Sequence, residues 1–372
     1  MRNLFWGKLA LFTLPFALVF TAFTGILIYS GESMPLAWVV ALQQGEGPVL
    51  YRPRYGNRDL TFKLLSTEAR RPQILALGSS RVLQMRANYF VDRRVFYNAG
   101  GPAWALGRVD TFLRALPAAA LPRVLLLGLD QPWFNPDFEA EDFAAEVSDF
   151  EEIFLVNRSV FQDMLAGIRP PDFAQLVARR EAGFGGLALG MRAISDGHGF
   201  RNDGSEQYGD FLVAGFLSPQ GERARHLEWL RAGERMYVAG ASVSEGAAQQ
   251  LAGLLTYCQE HGVTVVGFFP PLAPTLYAEM RAGGQHTYVG AASERLSALF
   301  GQFGYAFFDF SDGAAFGSDG DFFDGWHASE RIYLQLYIAM AQAVPDLAAY
   351  SDVAALQQAV MATTDTFNVF GP

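Results

Sequence analysis

Five short, nearly unbroken apolar runs alternate with stretches of helical spacing, and this alternation restricts the chain more than any other feature. The runs are residues 73–77, 94–97, 123–129, 263–269 and 305–310, and the first four stop at Gly78, Asn98, Asp130 and Pro270. A strand buried on one face alternates apolar and polar residues, whereas a strand covered on both faces reads as a continuous apolar run. Helical spacing follows in residues 104–116, 247–261, 291–303 and 329–342. Such an order predicts an α/β fold, in which a five-stranded parallel sheet is the middle layer of a three-layer α/β/α sandwich.

In open parallel sheets, sites form at the carboxyl ends of the strands. The residues with chemistry to offer fall there. Ser80 follows the first run, Asn98, Gly100 and Gly101 the second, and Asp130 the third; Asp324 and His327 follow the fifth. A serine on a sharp turn presents its hydroxyl to solvent. A histidine three residues after an aspartate can take that proton while the aspartate fixes its tautomer. Ser80 taken alone is also an ordinary helix cap. His327 changes that reading, because of the five histidines only it has an aspartate three residues before it.

Residues 9–31 contain no charged side chain. As a helix they span roughly 35 Å, enough for a bilayer core of about 30 Å. The stretch is longer than the apolar region of a secretory signal and ends without a small-residue cleavage pattern. An uncleaved anchor is expected. Arg2 and Lys8 precede it and Glu32 and Glu46 follow, so the positive-inside rule places residues 1–8 in the cytoplasm and the rest outside. A single-pass protein of the inner membrane with a periplasmic or extracytoplasmic domain is the expectation. Residues 32–72 read as a juxtamembrane connector, with a short amphipathic helix at 34–43.

The 372 residues are 51% hydrophobic, ample for one large domain, here residues 73–345. A net charge of −10 with no basic run argues against nucleic acid as a partner. The single cysteine, Cys258, excludes an intrachain disulfide and a cysteine-rich zinc site and reads as a packing residue. Asp319, Asp321 and Asp324 lack the spacing and late glutamate of a helix-loop-helix calcium site. No metal and no cofactor is expected. Between the third and fourth runs, residues 131–245 break the alternation and read as a cap over the site. They hold an acidic stretch (Asp137, Glu139, Glu141, Asp142, Glu146, Asp149, Glu151, Glu152) that reads as a solvated face. They also hold a polar loop with His198, Arg201 and Asp203, which reads as a tether. Arg81 reads as a surface residue or an anion contact. Trp326, Trp133 and Phe134 read equally as core or as stacking platforms for a sugar. Residues 346–372 read as a C-terminal tail containing a helix.

Taken together, Gly78-Ser79-Ser80, the block from Tyr97 to Gly101 and Asp324-Gly325-Trp326-His327 resemble the SGNH (GDSL-type) hydrolase superfamily, over residues 73–130 and 263–343. The resemblance implies a flavodoxin-like sandwich with Ser80 as nucleophile, His327 as general base and Asp324 as its orienter. It also implies an oxyanion hole from the N–H groups of Ser80 and Gly100 or Gly101, with Asn98 as a side-chain candidate. The third block departs from the pattern: Gly128-Leu129-Asp130-Gln131 stands where the family has Gly-x-Asn-Asp. An ionised aspartate donates no hydrogen bond and repels an oxyanion. Asn98 and Asn135 are the nearby amides that could substitute. The anchor and outside topology resemble a membrane-anchored branch, DltD and the AlgJ/AlgX-type polysaccharide O-acyltransferases. That resemblance implies an acyl-ester or glycan substrate and a multispanning MBOAT-type acyltransferase as partner. Arg81, Asp130 and Trp326 are the substrate-contact candidates. Two functions follow: a serine esterase or O-acyltransferase, or a non-catalytic subunit that keeps the fold to bind a glycan or a membrane acyltransferase.

Overall fold

The computed structural model describes residues 2–140, 145–168, 171–180, 184–210 and 218–371. Glu141 and Asp142 of the acidic stretch lie outside the described residues. The chain divides into two compact units, one of Met1–Arg58 with Ala145–Asn202 and a larger one of Asp59–Ala144 with Asp203–Pro372. The expected insertion at 131–245 is therefore not one body. The described residues of 145–202 fold with the N-terminal segment, and those of 203–245 fold with the sheet.

In the smaller unit, α1 (Arg2–Tyr29) carries a 25-residue stretch, Phe5–Tyr29, with mean hydropathy 2.2. It is long and apolar enough to cross a membrane. Nearly all of it is exposed, but its C-terminal end is not: Leu27 is fully buried, and the Thr24 hydroxyl donates to Asn157 Oδ1 at 2.9 Å. Just beyond, the buried Glu32 carboxylate accepts N–H bonds from Arg54 (2.8 Å), Tyr55 (2.8 Å) and Met191 (2.6 Å). The apolar helix thus runs directly into folded structure. α2 (Leu36–Gln44) follows at the place where the amphipathic helix is expected. β1 (Val49–Tyr51) pairs parallel with β5 (Leu187–Leu189) and antiparallel with β6 (Gly199–Phe200). α5 (Asp149–Ala166), α6 (Phe173–Ala178) and α7 (Met191–Asp196) complete the unit. α5 starts at a capping box between Ser148 and Glu151, in which each side chain bonds the other's backbone N–H. Arg58 pairs with Asp149 and with Glu152 (2.9 Å).

In the larger unit, β2 (Ile74–Leu77), β3 (Phe96–Asn98), β4 (Val124–Gly128), β8 (Thr264–Phe269) and β9 (Ala306–Asp309) form an all-parallel sheet in the order β3-β2-β4-β8-β9. All five expected strands are present within two residues of their predicted ends. Strand parity divides the core in two. Ile74, Ala76, Val124, Leu126, Val266 and Phe268 belong to one apolar cluster, with helix Glu330–Ala343. Leu75, Leu77, Leu125, Leu127, Val265 and Phe269 belong to the other, with α4 (Leu106–Ala115) and helices Glu245–Glu260 and Tyr288–Gln302. Burial on both faces is why the runs of β2, β3, β4 and β8 are continuous, whereas β9, at the edge of the sheet, is only half-buried. Cys258 is buried in the second cluster as a packing residue.

Two segments depart from expectation. The connector at 32–72 contains regular structure, including α3 (Asp59–Arg70), whose Lys63 is fully buried. The Lys63 ammonium donates to the backbone carbonyls of Asn98 (2.9 Å) and Gly204. The C-terminal segment holds the expected helix, Val353–Ala362, but the rest is tied down. Arg331 N donates to Thr366 O (2.9 Å), and Arg86 donates to Gly371 O (3.3 Å).

Candidate active site

β2 ends at Gly78, and the chain turns at once into a 3₁₀ helix, Ser80–Gln84. The turn needs room. A Cβ on Gly78 would sit 2.8 Å from Gly128 O; one on Gly100 would sit 2.4 Å, and one on Gly128 2.3 Å, from methyls of Val82. Three glycines at the ends of β2, β3 and β4 therefore clear space for Val82, two residues past Ser80. The Asn98 side chain completes the turn: its amide donates to Val82 O (2.8 Å) and Met85 O (3.0 Å). β7 (Glu206–Gln207) accepts from Gln84 at the Glu206 carbonyl (3.1 Å).

The opposite wall is the loop after β9. A bridge between Phe322 and Ala328, and a bond from Phe323 N to His327 O (2.9 Å), close Asp324–His327 into a tight loop. Asp324 Oδ1 accepts from the backbone N–H of Trp326 and of His327, both at 2.7 Å. This leaves Oδ2 for the imidazole. His327 Nδ1 lies 2.8 Å from Asp324 Oδ2, and His327 Nε2 lies 2.8 Å from Ser80 Oγ. Ser80 and His327 are partly exposed while Asp324 is buried. The three sequence-predicted catalytic residues, 247 positions apart at their extremes, meet in one hydrogen-bonded line. Its consistent reading has Nδ1–H donated to Asp324 and Ser80 O–H donated to Nε2.

Charge and burial compete along this line. Burial opposes ionisation of Asp324, yet the His327 charge and hydrogen bonds hold its carboxyl below the usual carboxylate range. Burial also disfavours the imidazolium, and the Asp324 charge and bond outweigh it, so His327 sits above the ordinary imidazole value. A second histidine, not singled out in the sequence, stands on the same carboxylate: His226 Nε2 is 3.6 Å from Asp324 Oδ2. His226 Nδ1 pairs with the Tyr237 hydroxyl at 2.6 Å, and burial pushes its imidazole down to about 4. It is a neutral group at pH 7, with Nε2–H facing the carboxylate. Only the register of helix Pro219–Ala232 brings it there, so no local sequence signal announces it.

The oxyanion side is arranged differently from expectation. Gly100 N–H donates to Asn98 Oδ1 (2.9 Å), and Gly101 N–H is shared between Gly78 O and Ser79 O (3.1 Å each). Asn98 has both amide hydrogens on backbone carbonyls. Asn135 likewise donates to Val238 O (2.8 Å) and Ala239 O (3.3 Å). The Ser80 N–H, the remaining expected donor, has no hydrogen-bond partner among the described residues. Asp130 supplies no donor there. It is buried, hydrogen-bonded to Ser79 and 3.4 Å from Arg81 Nη1. Burial pushes its carboxyl up, against the pull of Arg81.

Arg81 is not on the surface. It is 1% exposed and donates to Gln131 Oε1, Pro270 O and Pro271 O, each at 2.7 Å. Its guanidinium lies 4.0 Å over the Trp326 ring, which packs edge-on to Tyr237. Both side chains are built into the core rather than presented to a substrate, and Arg81 braces the ends of β4 and β8 beneath the nucleophile turn. Trp133 and Phe134 are also buried. Asp203 is a loop tether, accepting from Ala87 N (2.8 Å) and Ser205 N (3.0 Å). Asp319 and Asp321 turn to different partners, Thr275 and the Ser318–Arg331 pair.

Comparison with known protein families, curated proteins and solved structures returned no match.

Proposed function

We propose that the chain is a membrane-anchored, extracytoplasmic serine esterase or O-acyltransferase working through an acyl-enzyme. The observation that carries this reading is the continuous relay of Ser80 Oγ, His327 and Asp324, with both inter-residue bonds at 2.8 Å. Ser80 Oγ attacks the carbonyl carbon of an acyl ester and passes its proton to His327 Nε2. Asp324 holds Nδ1–H and stabilises the imidazolium. The tetrahedral oxyanion meets the Ser80 N–H. Collapse expels the alcohol, which takes the proton from His327 and leaves an acyl-Ser80 ester. Water or a glycan hydroxyl, deprotonated in turn by His327, then receives the acyl group. The fold in this reading is a three-layer SGNH-type sandwich. Its substrate is an acyl ester of a cell-envelope or secreted polysaccharide. Its partner is a multispanning acyltransferase of the MBOAT type, beside the inner membrane that α1 crosses.

The oxyanion side supports a second reading, a non-catalytic subunit that binds a glycan or that acyltransferase. Gly100, Gly101 and Asn98 have no N–H to spare, and one lost donor costs roughly 2.7–4 kcal/mol of transition-state stabilisation in other acyl-transfer enzymes. Labelling of the purified full chain with a fluorophosphonate separates the two. The catalytic reading expects covalent labelling of wild type that vanishes in Ser80→Ala. Absence of labelling, or equal labelling of Ser80→Ala, removes it.

A further inference from the structure

The outer side of α5 carries an apolar stripe that the packing of its own unit leaves bare. Phe150, Phe154, Phe161 and Leu165 are 70%, 53%, 55% and 74% exposed, and Ile168 just beyond the helix is 54% exposed. Their spacing of four, seven and four residues places the helical four along one line of the cylinder. The buried line of α5 runs through Val156 and Val160, roughly a third of a turn away, with Asn157 between the two.

α1 fixes which side the stripe faces. Leu27 shares its core cluster with Val156 and Val160. One turn earlier, Thr24 bonds Asn157. Going toward the N-terminus, α1 therefore moves from the buried line of α5 toward the stripe. Beyond that point α1 is bare: Phe16, Leu18, Val19 and Phe20 are 68%, 61%, 71% and 51% exposed. A hydrocarbon core of about 30 Å takes roughly 20 helical residues. Counted from Leu9, the first residue past Lys8, those residues end near Ile28, so α5, which meets α1 at Thr24 and Leu27, lies at the outer end of the span. α6 adds to the same side, with Phe173 6.2 Å from the Phe23 ring and Val177, one turn on, half exposed.

We propose that α5 is a second membrane-contacting element, lying at the outer headgroup–acyl boundary with this stripe among the lipid chains. The inference rests on the reading of α1 as a membrane span. Arg158, exposed beside the stripe, reaches the phosphate level, as basic side chains at such boundaries do. Two elements instead of one then fix the tilt of the smaller unit on the bilayer.

The test uses full-length Cys258→Ala protein in phosphatidylcholine–phosphatidylglycerol nanodiscs, with an environment-sensitive fluorophore on one introduced cysteine. The positions are Phe12→Cys in the span, Leu165→Cys and Phe161→Cys on the stripe, and the exposed Gln259→Cys as a solvent control. Lipids carrying a nitroxide at the shallow acyl position quench. The proposal expects both stripe positions to be quenched about threefold or more beyond Gln259→Cys, with Phe12→Cys quenched by a deep nitroxide. Quenching at Phe12→Cys with stripe positions equal to the control overturns the proposal and leaves the span standing. That outcome covers a protein partner or a second copy on the stripe. Absence of quenching at Phe12→Cys overturns the span and the proposal together.

Discussion

On one side of Ser80 the relay through His327 to Asp324 has each contact at 2.8 Å, and the second carboxylate oxygen holds two backbone N–H groups besides. On the other side, the N–H groups of Gly100 and Gly101 and the amide of Asn98 are all bonded to the chain itself. The relay contacts are all made, whereas among the described residues the Ser80 N–H is the one expected oxyanion donor left unbonded. In the proposed mechanism acylation and deacylation both pass through a tetrahedral oxyanion, so a shortage of donors slows both steps. Slow turnover of simple esters, with labelling retained toward the more reactive fluorophosphonate, is the expected pattern.

The largest effects fall on the assembled side. Ser80→Ala and His327→Ala are each expected to lower turnover of an activated acetyl ester by about 10⁴-fold or more, because relay members act as a unit. Asp324→Asn is expected to do nearly as much through loss of the tautomer. The pH profile checks the same relay. His327 works as a base only when neutral, and its pKa is raised despite burial, chiefly by the Asp324 charge. Turnover is therefore low in acid and rises with pH, with a midpoint above the ordinary imidazole value of about 6.5. A midpoint below that value would show that Asp324 does not set the basicity of His327.

Arg81 probes the ground beneath the spent side. Removing its guanidinium takes the ion-pair partner from the buried Asp130 carboxylate and leaves the Pro271 carbonyl unpaired, while Pro270 O keeps its bond from the Gln131 amide. Losing one partner of a buried pair costs about 3–5 kcal/mol, so Arg81→Met is expected to lower stability by that order in a denaturant titration. A loss below about 1 kcal/mol would mean that the brace is dispensable. Asp130→Asn asks whether donor shortage limits the rate. It replaces a carboxylate with the amide found at this place in the SGNH pattern. Turnover is expected to rise, by up to about 10²-fold, the scale of one oxyanion donor. An unchanged rate would show that the free Ser80 N–H suffices.

The contrast between the two sides also separates what the sequence makes legible from what it does not. The strands are legible because burial on both faces leaves an unbroken apolar run, as in Val124–Gly128. The relay is legible because Asp324 and His327 are near in sequence and Ser80 follows a strand. The occupation of Gly100 N–H by Asn98 Oδ1 and of Gly101 N–H by Gly78 O is not, since it depends on how three strand ends crowd Val82. Arg81 misleads for a general reason: an arginine is seldom fully buried, and its partners Gln131, Pro270 and Pro271 lie on two other strand ends. α5 misleads by charge. Glu151 and Glu152 sit in its first turn, where they suit the helix N-terminus, and the acidic stretch hides the apolar spacing behind them.

His226 gives the smallest expected effect and the sharpest view of how finished the relay is. Its Nε2–H faces the same Asp324 oxygen that holds His327, at 3.6 Å against 2.8 Å. A neutral donor at that distance draws little on the carboxylate, but it competes with His327 for it. With burial pushing its imidazole down to about 4, His226 stays uncharged across the working range and cannot repel the imidazolium at His327. His226→Phe keeps the ring volume and removes both the donor and the Tyr237 bond. Freed of the competitor, Asp324 pulls harder on His327, so the midpoint of the pH profile is expected to move upward by a few tenths of a unit. The rate above that midpoint should fall about threefold, from looser orientation of Asp324. A purely packing role predicts lower stability with an unmoved midpoint. A downward shift would mean that His226 holds Asp324 in its ionised state, which makes the histidine pair, and not His327 alone, the partner of the carboxylate.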